Sequence, residues 1–207
     1  MANYLDLINC LRGLKTNSID YLCLDELKGD KSVIYELDMT GFQQLKHLHV
    51  QNNVEIKYII NSRGMIISDV VFPVLEILSL KNMINLEEIC HGQIPSASFR
   101  NLSIMKVEHC EKLKFIFSST IAKGLPQLQE LAIQECSIMG AIIIKEEGEI
   151  EDTDMILFPQ LRHLELRQLP KLWSFLNTQK SVINDAGEII PECELDFHMP
   201  ILQEQVY

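Results

Sequence analysis

One spacing organises this chain more strongly than any other feature. With Leu45 as position zero, apolar residues recur at −3, 0, +3, +5, +11 and +14. The first full unit reads Phe42, Leu45, Leu48, Val50, Ile56 and Ile59. The second reads Phe72, Leu75, Leu78, Leu80, Leu86 and Ile89, and the third Phe99, Leu102, Met105, Val107, Leu113 and Ile116. The fourth reads Leu125, Leu128, Leu131, Ile133, Met139 and Ile142, and the fifth Phe158, Leu161, Leu164, Leu166, Leu172 and Phe175. All 30 positions are apolar in a chain that is 47% hydrophobic. Chance gives roughly 10⁻¹⁰ for that before any freedom of alignment, so the period is a repeat.

The zero positions fall at 19, 45, 75, 102, 128 and 161, with spacings of 26, 30, 27, 26 and 33. The shorter spacings lie in the ~20–29 residue range of leucine-rich repeats. The longer ones carry loops around residues 61–71 and 145–156. An earlier, degenerate unit has Ile19, Leu22, Leu24 and Val33 but Thr16 at −3 and Asp30 at +11. A last unit opens at Met199 and Leu202 and is cut short by the end of the chain.

The Leu-x-Leu at +3 and +5 is a period-2 pattern, which turns both side chains to one side of a short strand. One unit cannot cover that side alone. Stacked units cover each other, with parallel strands and one continuous core. The +11 and +14 residues suit a returning turn or a 3₁₀ piece. The expected fold is an α/β repeat, a curved leucine-rich-repeat solenoid. Short parallel strands line its concave face, and irregular or 3₁₀ segments form the convex face. The −3 aromatics are expected to stack as a spine. At +8 the residues are Asn53, Met83, Cys110, Cys136 and Leu169. An Asn or Cys there turns inward and satisfies backbone groups where the strand bends away.

The expected division is a partly helical lead-in at 1–18, a repeat array of about six units at 19–176, and a connector with a truncated last unit at 177–207. In the lead-in, Leu5, Ile8, Leu11 and Leu14 have near-helical spacing. Neither end resembles a polar cap, so the chain reads as a segment of a longer array or a truncated product.

Charge narrows the function. With 29 acidic against 18 basic residues and a net charge of −11, the chain lacks the clustered cations that phosphate backbones require, so no nucleic-acid partner is expected. No stretch reaches the ~18 apolar residues of a membrane span, and no signal-peptide core follows Met1. The six cysteines form no CxxC pair, which suits free thiols in a reducing, cytoplasmic setting.

The segments Phe72-Pro73-x-Leu75-x-x-Leu78-x-Leu80 and Phe158-Pro159-x-Leu161-x-x-Leu164-x-Leu166-x-x-Leu169-Pro170-x-Leu172 carry a resemblance. So do Leu128-x-x-Leu131-x-Ile133-x-x-Cys136 and Gly41-Phe42-x-x-Leu45-Lys46-His47-Leu48. Over about residues 10–176 the chain resembles the repeat domain of plant intracellular nucleotide-binding, leucine-rich-repeat disease-resistance receptors of the coiled-coil branch. The resemblance implies a non-catalytic recognition module of plant defence. Its partner would be a pathogen effector, a guarded host protein or the receptor's own nucleotide-binding domain. No GxxxxGK[ST] loop occurs, so no nucleotide cofactor transfers with the resemblance. A stand-alone scaffold or adaptor, or an inactive receptor fragment, are the alternatives.

The outward positions at +2, +4, +6 and +7 have no core duty and are free to vary in chemistry. The partner-binding candidates on them are Tyr21, His47, His49, Ile77, Lys81, Ile104, Lys106, Glu130, His163, Glu165 and Arg167. Tyr21, His47, Ile77 and Ile104 make an aromatic–aliphatic strip that suits a protein anchor. The run from Lys145 to Asp154 is either a solvated loop or an electrostatic latch. His47-x-His49 with Cys23 lacks the further ligands a metal site needs. Cys110 and Cys136 read as packed thiols, His109 faces away from Cys110, and Trp173 reads as packing. No GxSxG, HExxH or GxGxxG motif is present, so no catalytic residue and no cofactor is assigned.

Overall fold

The computed structural model describes residues 19–26, 43–62, 70–145 and 157–177, with two short strands at 181–183 and 189–191. Six five-residue strands carry the fold: β1 (Tyr21–Asp25), β2 (His47–Gln51), β4 (Ile77–Lys81), β6 (Ile104–Glu108), β8 (Glu130–Gln134) and β10 (His163–Arg167). They form one parallel sheet in the order β1-β2-β4-β6-β8-β10. Each strand opens one coil of a solenoid.

The register follows the repeat column by column. Leu22, Leu48, Leu78, Met105, Leu131 and Leu164 are successive partners, as are Leu24, Val50, Leu80, Val107, Ile133 and Leu166. From coil one to coil five these side chains are buried. In β10, at the edge of the sheet, Leu164 and Leu166 are only partly covered. The zero residues Leu45, Leu75, Leu102 and Leu128 are fully enclosed. A one-residue slip would turn both files to solvent, which is why the register is so well specified.

Two tight turns set the coil. The −3 carbonyl accepts from the zero amide in Phe72–Leu75 (3.3 Å), Phe99–Leu102 (2.8 Å), Leu125–Leu128 (3.4 Å) and Phe158–Leu161 (3.0 Å). Pro73, Pro126 and Pro159 hold the second place of such turns, where their fixed φ fits. The +8 carbonyl accepts from the +11 amide in the same way, from Met83 to Leu86 (3.1 Å) through Leu169 to Leu172 (3.1 Å), the latter with Pro170 second. Phe72, Phe99 and Phe158 enter their turns at φ of 53°, 61° and 54°, a region bulky residues rarely adopt. Burial of the rings to 2–3% exposure offsets that strain. The expected spine is realised between Phe72 and Phe99, 5.5 Å apart. Leu125 interrupts it, and Phe158 packs instead on Phe117 (5.9 Å) and Phe175 (6.2 Å).

A second device recurs at +7. Glu26, Asn52, Asn82, His109, Glu135 and Gln168 all adopt φ between 49° and 54°. This twist aims the +7 amide at the next coil: Asn52 donates to the Lys81 carbonyl (3.0 Å), Asn82 to Glu108 (2.9 Å), His109 to Gln134 (3.1 Å) and Glu135 to Arg167 (3.0 Å). Asn tolerates this conformation better than most residues, whereas Glu, His and Gln are held in it at a cost. Gln168→Asn is therefore expected to stabilise the chain by about 0.5–1 kcal/mol. A raised urea midpoint with an unchanged slope is the readout.

The opposite side of the solenoid is more regular than the irregular or 3₁₀ segments expected from the sequence. It holds β3 (Tyr58–Asn61), β5 (Glu88–His91), β7 (Phe117–Ser118), β9 (Ala141–Ile144) and β11 (Ser174–Asn177). β3 pairs with β5, and β7, β9 and β11 form a three-stranded parallel sheet. The physical reason is coil spacing. Coils stacked by one parallel ladder bring their return segments within reach of a second, and the apolar, β-branched content (Ile59, Ile60, Ile142, Ile143) suits strands. One helical turn, α1 (Ser119–Lys123), follows β7, with the Ser118 hydroxyl accepting from the Ile121 amide at 3.4 Å.

Within the expected connector, β12 (Ser181–Ile183) and β13 (Ile189–Pro191) pair antiparallel. The lead-in helix, Phe42, the acidic run beyond Lys145 and the last unit at Met199 and Leu202 lie outside the described residues.

Candidate protein-recognition face

Strand alternation builds the face. Because +3 and +5 point into the core, +2, +4 and +6 point out of it. The burial of β1, β2 and β6 alternates accordingly, with Tyr21 55% exposed and its neighbour Leu22 at 8%. Ladder partners assemble the +2 column from Tyr21, His47, Ile77, Ile104, Glu130 and His163. The +4 column is Cys23, His49, Ser79, Lys106, Ala132 and Glu165. The +6 column is Asp25, Gln51, Lys81, Glu108, Gln134 and Arg167. All eleven candidate residues lie on this one face.

They are not equally available. Lys81 is bound to Glu108 at 2.8 Å, and Lys106 to Glu130 at 2.9 Å. Glu165 is bound to Arg167 at 2.8 Å, accepts from the Gln134 amide at 2.8 Å and lies 3.7 Å from His163. Lys81, Lys106, Glu130 and Glu165 are thus engaged with a neighbouring strand, and Arg167 with Glu165 on its own strand. Such exposed pairs add only about 0–1 kcal/mol each, but a partner must break or share them. Tyr21, His47 and His49 form an aromatic group instead. The tyrosine ring lies tilted 5.2 Å from His49 and edge-on 6.1 Å from His47. Burial first, and the neighbouring His47 second, hold the His49 imidazole below its ordinary range. Cys23 sits opposite His49 in the register, but among the described residues no three His, Cys, Asp or Glu side chains are arranged to hold a metal.

The +7 column, outward as expected but represented by no partner-binding candidate, carries a polar ladder along the flank. The Asn82 amide donates to Asn52 Oδ1 (2.7 Å), Asn52 donates to Asp25 Oδ1 (2.8 Å), and Gln51 donates to Asp25 Oδ2 (2.9 Å). The ladder continues at His109, whose ring nitrogens lie against the carboxylates of Glu135 and, at 3.4 Å, Glu108. The signal was present in the sequence: the +7 residues Asn52 and Asn82 are the types that favour left-handed turns. An open hollow of about 550 Å³ lies beside it, walled by His109, Glu111, Glu135 and Pro170 among others.

The inward +8 residues behave as expected. The Cys110 thiol reaches the Glu108 carbonyl at 3.6 Å, and Cys136 reaches the Gln134 carbonyl at 3.4 Å. Both thiols are buried and reduced. Its hydrogen bond with Cys136, reinforced by burial, pushes the Cys110 thiol well above the usual thiol range. Trp173 packs against Gly140, whose carbonyl accepts from the Trp173 amide at 3.0 Å.

The cross-coil carboxylates make stability acid-sensitive. Hydrogen bonds from Asn52 and Gln51 lower the Asp25 pKa, and the Lys81 and Lys57 ammonium groups lower those of Glu108 and Glu87. A carboxylate whose folded pKa is depressed stabilises fully above the ordinary range of about 4 and ceases to as pH falls through the folded value. Urea midpoints are expected to drop on acidification below about pH 4, and Lys81→Met to make that drop shallower.

Among the described residues no helix is long and apolar enough to cross a membrane. No solved structure matches the chain. Residues 10–137 match the family model of plant disease resistance protein RPS2-like leucine-rich repeats. Among curated proteins, the chain is 33% identical over 135 residues to the probable disease resistance protein At4g27220 of Arabidopsis thaliana, covering 63% of this chain and 14% of that protein. It is 26% identical over 166 residues to disease resistance protein At4g27190 of the same plant, covering 75% of this chain and 16% of that one. The stacked coils, the Phe-Pro-x-Leu turns and these matches together show that the chain belongs to the RPS2-like leucine-rich-repeat family of plant disease resistance proteins.

Proposed function

We propose that the chain is a non-catalytic recognition module of plant defence that engages a protein through the outward, concave face of its six-stranded sheet. Leucine-rich repeats mediate protein interactions by presenting long continuous surfaces, and the likeness to disease-resistance proteins supports a role in defence. In this reading the partner is a pathogen effector, a guarded host protein or the receptor's own nucleotide-binding domain. The setting is cytoplasmic, the receptor belongs to the coiled-coil branch, and engagement releases autoinhibition. The observation that carries the proposal is the face itself. Six strands hold three outward columns in strict register, free of core duty, with Tyr21, Ile77 and Ile104 giving it apolar anchors.

The test is the double variant Ile77→Glu/Ile104→Glu. Both residues are half-buried on the face. Capture of a protein partner from plant tissue is expected to be lost while the circular-dichroism melt stays in place. Val54→Glu/Ile84→Glu, at exposed aliphatics on the flank, is expected to leave capture intact. A melt that collapses in the first variant assigns those isoleucines to the core and sinks the reading.

A further inference from the structure

The face of the first four coils differs chemically from that of the last two. Over β1, β2, β4 and β6 the +2 column is Tyr21, His47, Ile77 and Ile104. The +4 column beside it is Cys23, His49, Ser79 and Lys106. Neither contains a carboxylate, in a chain with 29 acidic residues against 18 basic ones. The bordering carboxylates are occupied. Asp25 accepts from Gln51 and Asn52, Glu76 pairs with Lys46 at 3.0 Å, Glu108 with Lys81, and Glu130 with Lys106. Asp20 and Glu26 lie beyond the two ends of β1, off these columns.

On this stretch His47 and His49 stand two residues apart on one strand and therefore point the same way. The groups facing them are the Tyr21 ring and Cys23 on β1, and Ile77 and Ser79 on β4. No side chain of the sheet supplies an anion to either imidazole. A ledge of Ile77 and Ile104 adjoins them.

We propose that this stretch binds a partner segment carrying a carboxylate beside apolar or aromatic side chains, with the carboxylate on His47 and His49 and the apolar groups on Tyr21, Ile77 and Ile104. The proposal rests on the reading of this face as the docking surface. A basic segment would lose its hydration against two imidazoles and an ammonium already paired, with no free carboxylate in return. The net charge of −11 opposes an acidic partner at a distance, but at physiological salt that field is screened beyond about 8 Å, so contact chemistry decides. Burial and the neighbouring His47 hold the His49 pKa below its ordinary range in the free protein, and a docked carboxylate favours its protonated form. The complex therefore takes up protons, and affinity rises as pH falls through the imidazole range.

The experiment is a selection of displayed random dodecapeptides on the intact chain at about pH 6, followed by affinity measurements at about pH 6 and pH 8. Recovered peptides are expected to combine Asp or Glu with Phe, Tyr, Leu or Ile, and to bind about tenfold more weakly at the higher pH. His47→Gln/His49→Gln, with an unchanged melt, is expected to flatten the pH dependence. Tyr21→Ala, at a largely exposed side chain, supplies a second variant that weakens binding. Basic peptides, an empty selection, or binding indifferent to pH and to the histidine pair overturn the proposal. If such binding is still lost in Ile77→Glu/Ile104→Glu, the face docks partners of other chemistry. If that variant also binds normally, the docking reading fails as well.

Discussion

Gly124→Ala is expected to destabilise the chain by roughly 3 kcal/mol or more, lowering the melting temperature by about 6–12 °C for a chain of this size. Gly124 follows α1, and its amide donates to the Ile121 carbonyl at 2.9 Å. A Cβ built there would lie 1.8 Å from the Ser96 carbonyl oxygen and 2.9 Å from the Ser96 carbonyl carbon. Both are backbone atoms, so no rotamer change relieves the overlap. Either α1 or the turn at 96–101 must move. That turn leads into Phe99 and Leu102, both buried, so displacement spreads into the core of two coils. Gly124 has φ −85°, which shows that close approach, and not backbone conformation, demands the glycine. Lys123→Ala, one residue away and exposed, is the control and is expected to change little. A Gly124→Ala melt equal to the control's would contradict the packing of α1 on residue 96.

Leu131→Ala is expected to cost about 3–4 kcal/mol, within the usual range for a fully buried leucine. Leu131 is 0% exposed, enclosed in the inner file between Met105 and Leu164. The coils on either side are pinned by ladders on both sides of the solenoid, so collapse around the missing methyl groups is limited. The same change at Leu164 is expected to cost less than half as much, because that side chain is only partly covered. Urea titrations of both variants test the nearest-neighbour stacking of the coils. Equal costs at the two positions would contradict a core whose coverage runs out at β10.

The inner files are legible in the sequence because a period-2 core strand repeated at near-constant spacing leaves few ways to bury both leucines. The register of Leu48, Leu78, Met105, Leu131 and Leu164 follows from that spacing alone. The outward columns follow by the same parity. The return strands were not legible. Ile142-Ile143-Ile144 reads equally as strand or buried turn, and only neighbouring return segments make the ladder available. Of the left-handed +7 positions only Asn52 and Asn82 carried a signal, since the Glu26, His109, Glu135 and Gln168 residue types have no turn signature.

The candidate site divided in the same manner. Parity alone put Lys106, Glu130, Glu165 and Arg167 on the outward face. Distances then tied Lys106 to Glu130 across two strands, Glu165 to Gln134 across two strands and to Arg167 along its own, and left Tyr21, His47, His49, Ile77 and Ile104 as the part without ion pairs. The repeat spacing in the chain determined which side chains face inward and which coils are neighbours, because burial of a one-sided strand admits a single phase. Tertiary structure alone decided which outward charges are spent on each other, where a second sheet forms and where a glycine is indispensable. Those outcomes depend on distances of a few ångströms between coils about 26–33 residues apart, and no local pattern encodes them.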